Sequence, residues 1–381
     1  METVNFGIIG LGLMGKEFAS AVMRWKHLPA MNVKPRITAI CSRTLPKETE
    51  QWYRDGLGTI GQAVKDYREM LSNPEVDAVY CAVPHHLHEE MYKEIIRSGK
   101  HLFGEKPFGI DKAANESILA EAEKHPDVFV RCVSQWPFIP GAQRICRLIE
   151  DDFFGKLIEA EVEFLHSSDM NLKKPINWKR MIKYNGEYGC MGDLGMHTLA
   201  IPFRAGWVPR DVRAVLSNLV PERPDGKGGA APCETWDNAT LLCNAETPQG
   251  DPFPMTVKTF RIAPGEKNTW SITVKGMNGA ARFSTKHINH IEILEYTGGE
   301  QAWQHIDLGH DTAFSSITGG IFEFGFSDTM LQLIAAFLHE LKHGKPLSKF
   351  TGCVTPEETA LSHRLFTAAL ESQKKETAVR V

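Results

Sequence analysis

The sequence predicts an α/β protein in two parts, and three features carry the prediction. An apolar stretch over 4–9 runs into the loop Gly10-Leu11-Gly12-Leu13-Met14-Gly15 and then into helix-compatible sequence. As far as residue 133, apolar strand-like runs alternate with helical stretches, the rhythm of a parallel sheet with crossover helices. Past that point the rhythm changes to many alternating strands and few helices, which points to a largely antiparallel sheet with one covered face. The predicted division is a dinucleotide-binding domain over 1–133 and a second α/β domain over 134–381.

The glycine loop is the strongest local signal. A pyrophosphate requires close backbone approach and N–H groups pointing at negative charge. Gly10 permits a tight turn out of the strand, Gly12 removes a Cβ where phosphates come nearest, and Gly15 lets the helix pack close to the strand. The N-terminus of that helix supplies the N–H groups.

In chain order, a first helix reaches about residue 27 and a second apolar strand covers 36–41, ending at Ser42-Arg43-Thr44. Dinucleotide sites place a carboxylate there for the ribose hydroxyls. Here a guanidinium stands beside small hydroxyls, which suits a 2′-phosphate and favours NADP over NAD; an Arg lying over the adenine ring of either cofactor is the plain alternative. A helix carrying Trp52 and Tyr53, a helix with an Asn73-Pro74 break, a strand at 78–83, a helix ending at Gly99, a strand at 101–103, a helix over about 111–124 and a strand at 128–133 complete the parallel strands of this part. The second part then gives a helix at 141–151, a strand at 157–165, a polar loop, and a helix from about Asp193. Strands follow at 212–218, 238–244, 255–262, 270–276, 280–284 and 291–296, and helices at 328–343 and 356–374 close the chain. The stretch PERPDGKGGAAP at 221–232 is rich in Pro and Gly and is expected to be a mobile loop, a lid or an arm reaching a neighbouring subunit.

Composition narrows the function classes. A chain with 42% hydrophobic and 24% charged residues is of the ordinary globular kind, and a net charge of −4 without a Lys/Arg cluster excludes nucleic acid and an anionic membrane surface as expected partners. The 8 cysteines include no CxxC pair and several lie in apolar runs, so they read as reduced core thiols. With no apolar run of membrane-spanning length and a first strand beginning by residue 4, the expected compartment is the cytoplasm. His287-x-x-His290 and the group His85, His86, His88 are the dense histidine clusters, and neither carries the ligand set of a zinc site, so no metal is expected.

Two patterns carry chemistry. Glu105-Lys106-Pro107 follows a predicted parallel strand, at the carboxyl edge where open α/β sheets bind ligands. A lysine there can hydrogen-bond a substrate hydroxyl and ease its deprotonation; a surface lysine after a turn is the plain reading. Asp193-x-x-x-His197 puts a carboxylate and an imidazole on one helical face, aimed into one cleft. An imidazole is the natural proton acceptor when a hydroxyl carbon loses hydride, whereas an N-cap Asp and a satisfied core His are the plain reading of the same pair.

Taken together, the GIIGLGLMG loop, Ala82-Val83-Pro84 followed by His88, Glu105-Lys106-Pro107 and Gly192-Asp193-x-x-x-His197 resemble the Gfo/Idh/MocA oxidoreductases in order and rough spacing, over nearly the whole chain. The resemblance implies an N-terminal Rossmann domain and a C-terminal α/β domain whose large open sheet joins subunits into homodimers or homotetramers. It implies Lys106, Asp193 and His197 as the catalytic set, acting with NAD(P) on a carbohydrate or cyclitol. It implies cofactor contacts from Gly10 to Gly15, Ser42, Arg43, Ala82, Pro84, His85, His88, Glu105, Lys106 and Trp178. Substrate contacts are expected from Lys106, His166, Lys179, Arg180, Asp193 and His197. Where family members often carry a triple glycine before the Asp, this chain has Gly189-Cys190-Met191-Gly192, which predicts a bulkier pocket floor, and Lys179-Arg180 is a candidate for holding an acidic substituent.

Three activities fit this reading: a sugar or cyclitol dehydrogenase; a glycoside hydrolase that oxidises, eliminates, hydrates and reduces again with His166, Asp169 or Tyr184 as the extra base; and a dinucleotide-sensing regulator. The last has no need of Lys106, Asp193 and His197 together.

Overall fold

The computed structural model describes residues 2–309, 312–322 and 324–381. The chain divides into two compact units, Met1–Gly109 with Ala113–Phe138 and His310–Pro356, and Ile110–Lys112 with Ile139–Gly309 and Glu357–Val381. No helix among the described residues is long and apolar enough to cross a membrane.

The first unit is built on six parallel strands, β1 (Glu2–Ile9), β2 (Val33–Cys41), β3 (Gln62–Val64), β4 (Ala78–Cys81), β5 (His101–Gly104) and β6 (Val130–Cys132), in the order β3-β2-β1-β4-β5-β6. Helices α1 (Leu13–Met23), α2 (Lys47–Leu57), α3 (Tyr67–Leu71), α4 (His88–Arg97) and α5 (Lys112–Glu123) link them. The order reverses between β1 and β4, the switch point at which open α/β sheets leave a crevice for ligand. Phe18 of α1 stacks on Tyr80 of β4 with ring centroids 4.3 Å apart, and a late helix, Phe326–His343, returns to cover the same core. Its Phe337 is fully buried, 4.6 Å from the Phe103 ring and 5.9 Å from Phe6. The expected division at 133 therefore differs from the observed one, because apolar strand surface left uncovered by local sequence is covered by residues nearly two hundred positions further on.

The second unit contains α6 (Pro140–Glu150), β7 (Leu157–Leu165), α7 (Ile182–Asn185), α8 (Cys190–Ala205), β8 (Val208–Ser217), β9 (Glu222–Pro224), β10 (Ala230–Pro232), β11 (Asn238–Glu246), β12 (Pro252–Phe260), β13 (Thr269–Gly276), β14 (Gly279–Ser284), β15 (His290–Glu295) and β16 (Gln304–Asp307). The returning helix is α9 in chain order; α10 (Pro356–Lys375) and β17 (Val379–Arg380) follow. Nine strands form one sheet, β16-β15-β14-β13-β7-β12-β11-β8-β17, antiparallel throughout except where β7 meets β12. Period-two alternation buries Ala160, Val162 and Phe164 of β7 and Met255, Val257 and Thr259 of β12 on one face, while Glu159, Glu161 and Glu163 point to the other. Strand β7 and the helical segments near 328 and 356 match the sequence reading closely.

Two expectations require correction. Helix α8 begins at Cys190, after Gly189 in a left-handed turn (φ 57°), so Asp193 sits in the first helical turn and does not cap it. A Cβ at Gly189 would lie 2.7 Å from the Trp236 nitrogen, which fixes glycine there. The 221–232 stretch, expected as a loop, is a hairpin in which β9 pairs antiparallel with β10. Its anchor is Arg223, whose buried guanidinium donates to the carbonyls of Asn171 and Asp169, while the Ile176 amide donates to the Pro224 carbonyl.

Candidate active site

In the first unit, β1 delivers the chain to the glycine loop at the carboxyl edge of the sheet. Gly10 has φ 95°, and a Cβ there would lie 2.1 Å from the Ala82 carbonyl at the end of the neighbouring strand; a Cβ on Gly15 would lie 2.2 Å from the Gly10 carbonyl. Gly12, by contrast, faces open space, with nothing within 4 Å of a built Cβ, and precedes an α1 whose first turn carries no acidic residue. That is the geometry an anionic pyrophosphate requires: main chain exposed to the ligand, a helix N-terminus behind it and no competing carboxylate. Leu11 is buried in the core and Leu13 is exposed, so the loop's side chains divide between packing and solvent. Ser42 is half-buried, its amide held by the Val64 carbonyl, and Arg43 is exposed.

The same edge carries the turn Glu105-Lys106-Pro107 after β5. Three side chains from beneath hold it: Tyr80 donates to the Glu105 carboxylate at 2.6 Å, Tyr92 donates to the Glu105 carbonyl at 2.6 Å, and the His88 ring contacts the carbonyls of Pro107 at 2.6 Å and Val83 at 2.9 Å. Burial, with the Glu105 charge adding to it, holds the Tyr80 phenol protonated well above its ordinary range, so it remains a donor. Lys106 is half-buried at the turn. Expected as cofactor contacts, Glu105 and His88 are instead the fastenings of this turn: the Glu105 carboxylate is buried with Tyr80, and both nitrogens of the fully buried His88 face main-chain carbonyls. His85 is buried beside His88, with ring centroids 5.6 Å apart, while Ala82 and Pro84 are half-buried at the end of β4.

In the second unit, a cavity of about 280 Å³ is lined by His166, Ser168, Asp169, Lys174, Asn177, Trp178, Lys179, Asp193 and Arg261. Asp193 and His197 lie one turn apart on α8, on the side that meets the sheet, and both are buried. Phe164, an inward position of β7, places its ring 5.5 Å from His197, edge-on, and the same phase past the strand's end brings His166 to 4.8 Å from that ring. The same phase of β12 runs from Thr259 to Arg261, whose guanidinium donates to Asp193. Lys179 closes the other side, its Nζ 3.0 and 3.1 Å from the two Asp193 oxygens. The indole of Trp270 donates to the His197 carbonyl at 3.0 Å, fixing the helix turn that carries the imidazole.

Asp169 is nearly fully buried and takes Lys174 at 2.8 Å. Burial alone pushes its carboxyl up, but the Lys174 hydrogen bond and the charges of Arg261, Lys174 and Arg180 prevail and hold it below its usual range. Arg180 was expected at the substrate. It is fully buried, ion-paired with Asp237 and at 3.7 Å with Asp169, because the short helical turn Trp178–Arg180 sends successive side chains in opposite directions. Cys190 and Met191 are fully buried and are not among the cavity-lining residues, so the bulkier floor expected from them is not what shapes this cavity. Sequence reasoning missed Arg261, Lys174 and Asn177. Arg261 was within reach, as the next inward position after Thr259. No group of three or more His, Cys, Asp or Glu among the described residues is placed to hold a metal ion.

Residues 4–131 match the model of an oxidoreductase family with an NAD-binding Rossmann fold. Levoglucosan dehydrogenase of Pseudarthrobacter phenanthrenivorans is 24% identical over 313 residues, covering 77% of this chain and 76% of that protein. A glycosyl hydrolase family 109 protein of Shewanella is 27% identical over 202 residues, 49% of this chain and 42% of that one. The solved structure of levoglucosan dehydrogenase in complex with NADH and L-sorbose superposes with a TM-score of 0.87 at 20% identity, covering 100% of this chain and 99% of that one, which establishes a common fold. The chain is an NAD-binding oxidoreductase. The part that carries the match, residues 4–131, is the NAD-binding Rossmann region of the Gfo/Idh/MocA family model.

Proposed function

We propose that the protein transfers hydride between a nicotinamide cofactor and a ring hydroxyl of a sugar, sugar derivative or cyclitol. The observation that carries this reading is the pair Asp193 and His197 on one face of α8, with Asp193 clamped by Lys179 and Arg261 at the wall of a polar cavity. When bound, the nicotinamide accepts or returns the hydride. His197 takes the hydroxyl proton, Asp193 orients and balances the cation that forms, and Lys106 supports the developing alkoxide. Trp178, in the same wall as Lys179, is an apolar face for the substrate ring or the nicotinamide. The levoglucosan dehydrogenase relative supports the carbohydrate class.

Both NAD and NADP enter this reading, with NADP favoured by Ser42-Arg43. The open face of the nine-stranded sheet, with exposed Val215 and Leu242 beside the Lys258–Glu163 and Lys275–Glu159 pairs, joins copies into a dimer or tetramer; a monomeric mass by light scattering excludes this. All eight cysteines are buried thiols outside any disulfide, which suits the reducing cytoplasm.

A second reading, oxidoreductive glycoside hydrolysis, draws on His166 and Asp169 in the same cavity as Asp193, a spare base and a carboxylate where a neighbouring C–H would be acidified. The hydrolase relative from Shewanella supports it. One experiment tests both: sugars, inositols, uronates and their glycosides with NAD and NADP in parallel, followed by cofactor absorbance and aglycone release. Net reduction of cofactor by a free sugar is expected. Release of aglycone with no net cofactor change selects the hydrolase, and neither response contradicts both.

A further inference from the structure

The charges around the second unit's cavity do not balance. Lys174, Lys179 and Arg261 line it, and Arg180 and Arg223 back it; the carboxylates that meet them are Asp169, Asp193 and Asp237. Asp193 is shared by Lys179 and Arg261, Asp169 is taken by Lys174 with Arg180 behind, and Asp237 is paired with Arg180. Arg223 is 1% exposed and donates to main-chain carbonyls at Asn171 and Asp169, with no carboxylate partner among the described residues. Five cationic side chains thus stand against three carboxylates in a region largely out of water, inside a chain whose overall charge is −4.

A second observation comes from the cavity wall. Arg261 is 4% exposed, and its Nε is buried with no hydrogen-bond acceptor among the described residues, although its Nη2 holds Asp193. A buried guanidinium N–H left without an acceptor costs free energy that a ligand oxygen would recover. The side chains of Lys174 and Lys179 are a little over a third exposed, so their ammoniums can turn toward an incoming group while remaining near Asp169 and Asp193.

We propose that the substrate carries an oxyanion, a carboxylate or sulfonate on its polyhydroxylated ring, held by Arg261 Nε together with Lys174 and Lys179. The proposal rests on the carbohydrate-oxidoreductase reading and narrows its substrate class to sugar acids. Its logic is excess positive charge: a neutral sugar leaves the surplus uncompensated, whereas a monoanion neutralises part of it through charge-assisted hydrogen bonds.

The test is equilibrium binding to NADH-loaded protein by calorimetry, comparing D-glucuronate, D-galacturonate and 6-deoxy-6-sulfo-D-glucose with D-glucose and D-galactose. Anionic sugars are expected to bind at least about tenfold tighter than their neutral parents, and the carboxylate and sulfonate arms show which oxyanion is preferred. In Lys174→Gln that ratio is expected to fall severalfold, and in Lys174→Arg to be kept. Equal or weaker binding of every anionic sugar overturns the proposal, as does a ratio unchanged in Lys174→Gln. Turnover is read in the same samples. Anion preference without oxidation of any sugar leaves the substrate class standing and removes the dehydrogenase reading, whereas oxidation of neutral sugars with no anion preference does the reverse.

Discussion

His88 shows how a residue that looks like a ligand from sequence becomes a fastening in the fold. In a chain reading His85-His86-Leu87-His88 beside a cofactor loop, a histidine invites a functional role, yet this ring is fully buried between the carbonyls of Val83 and Pro107. Burial pushes its pKa from 6.5 down to about 4 against the pull of those two carbonyls. The unfolded chain therefore binds the proton first as pH falls, and stability that is full above 6.5 is lost progressively toward 4. Between pH 7 and pH 5 this one site is expected to cost about 2 kcal/mol. Urea unfolding of wild type and His88→Phe at the two pH values checks it: the variant is predicted to lose that part of the acid sensitivity, and equal sensitivity in both proteins contradicts the assignment. The Lys179-Arg180 pair teaches the same lesson, since adjacent cations point one to the cavity and one to the interior. Spacing in the chain has no information on that choice, which tertiary partners at Asp193 and Asp237 decide.

Elements were legible in proportion to how local their causes are. The glycine loop, five of the six parallel strands and β7 each follow from nearest-neighbour pattern, the three-residue β3 being too short to show one, and the i, i+4 relation of Asp193 and His197 needed only that α8 be helical. What failed had a distant cause. The 221–232 hairpin has a loop-like composition, but its anchor Arg223 finds its acceptors 52 and 54 residues earlier in the chain. Arg261 reaches Asp193 across 68 residues through the phase of β12. Helix α9 was foreseen as a helix and assigned to the wrong unit, because nothing in its own sequence says which sheet it covers. Its Phe337, packed on Phe103, Phe6 and Phe129, makes that assignment testable. Phe337→Ala is expected to destabilise the first unit by about 3–5 kcal/mol and to lower dinucleotide affinity when the unit loosens. A thermal or urea midpoint shift worth less than about 1 kcal/mol would show that α9 is peripheral to the sheet.

Across the whole chain, one division of labour organises the two units. The first presents an anion-ready glycine loop and a lysine on a turn buttressed by Tyr80, Tyr92 and His88. The second presents an acid and an imidazole on α8 beside a cationic cavity. The match of residues 4–131 to an NAD-binding Rossmann fold points to the reaction class, and the proposed proton chemistry is assigned to the side chains on α8. In the proposed reaction His197 moves the hydroxyl proton, whereas the glycine loop of the first unit holds the dinucleotide. The most direct measurement is His197→Ala, read for NAD(P)H binding by fluorescence and for oxidation of the best substrate found in the sugar panel. Cofactor binding is predicted to stay within about twofold while the rate falls by about 10²–10⁴-fold; a rate equal to wild type contradicts the account.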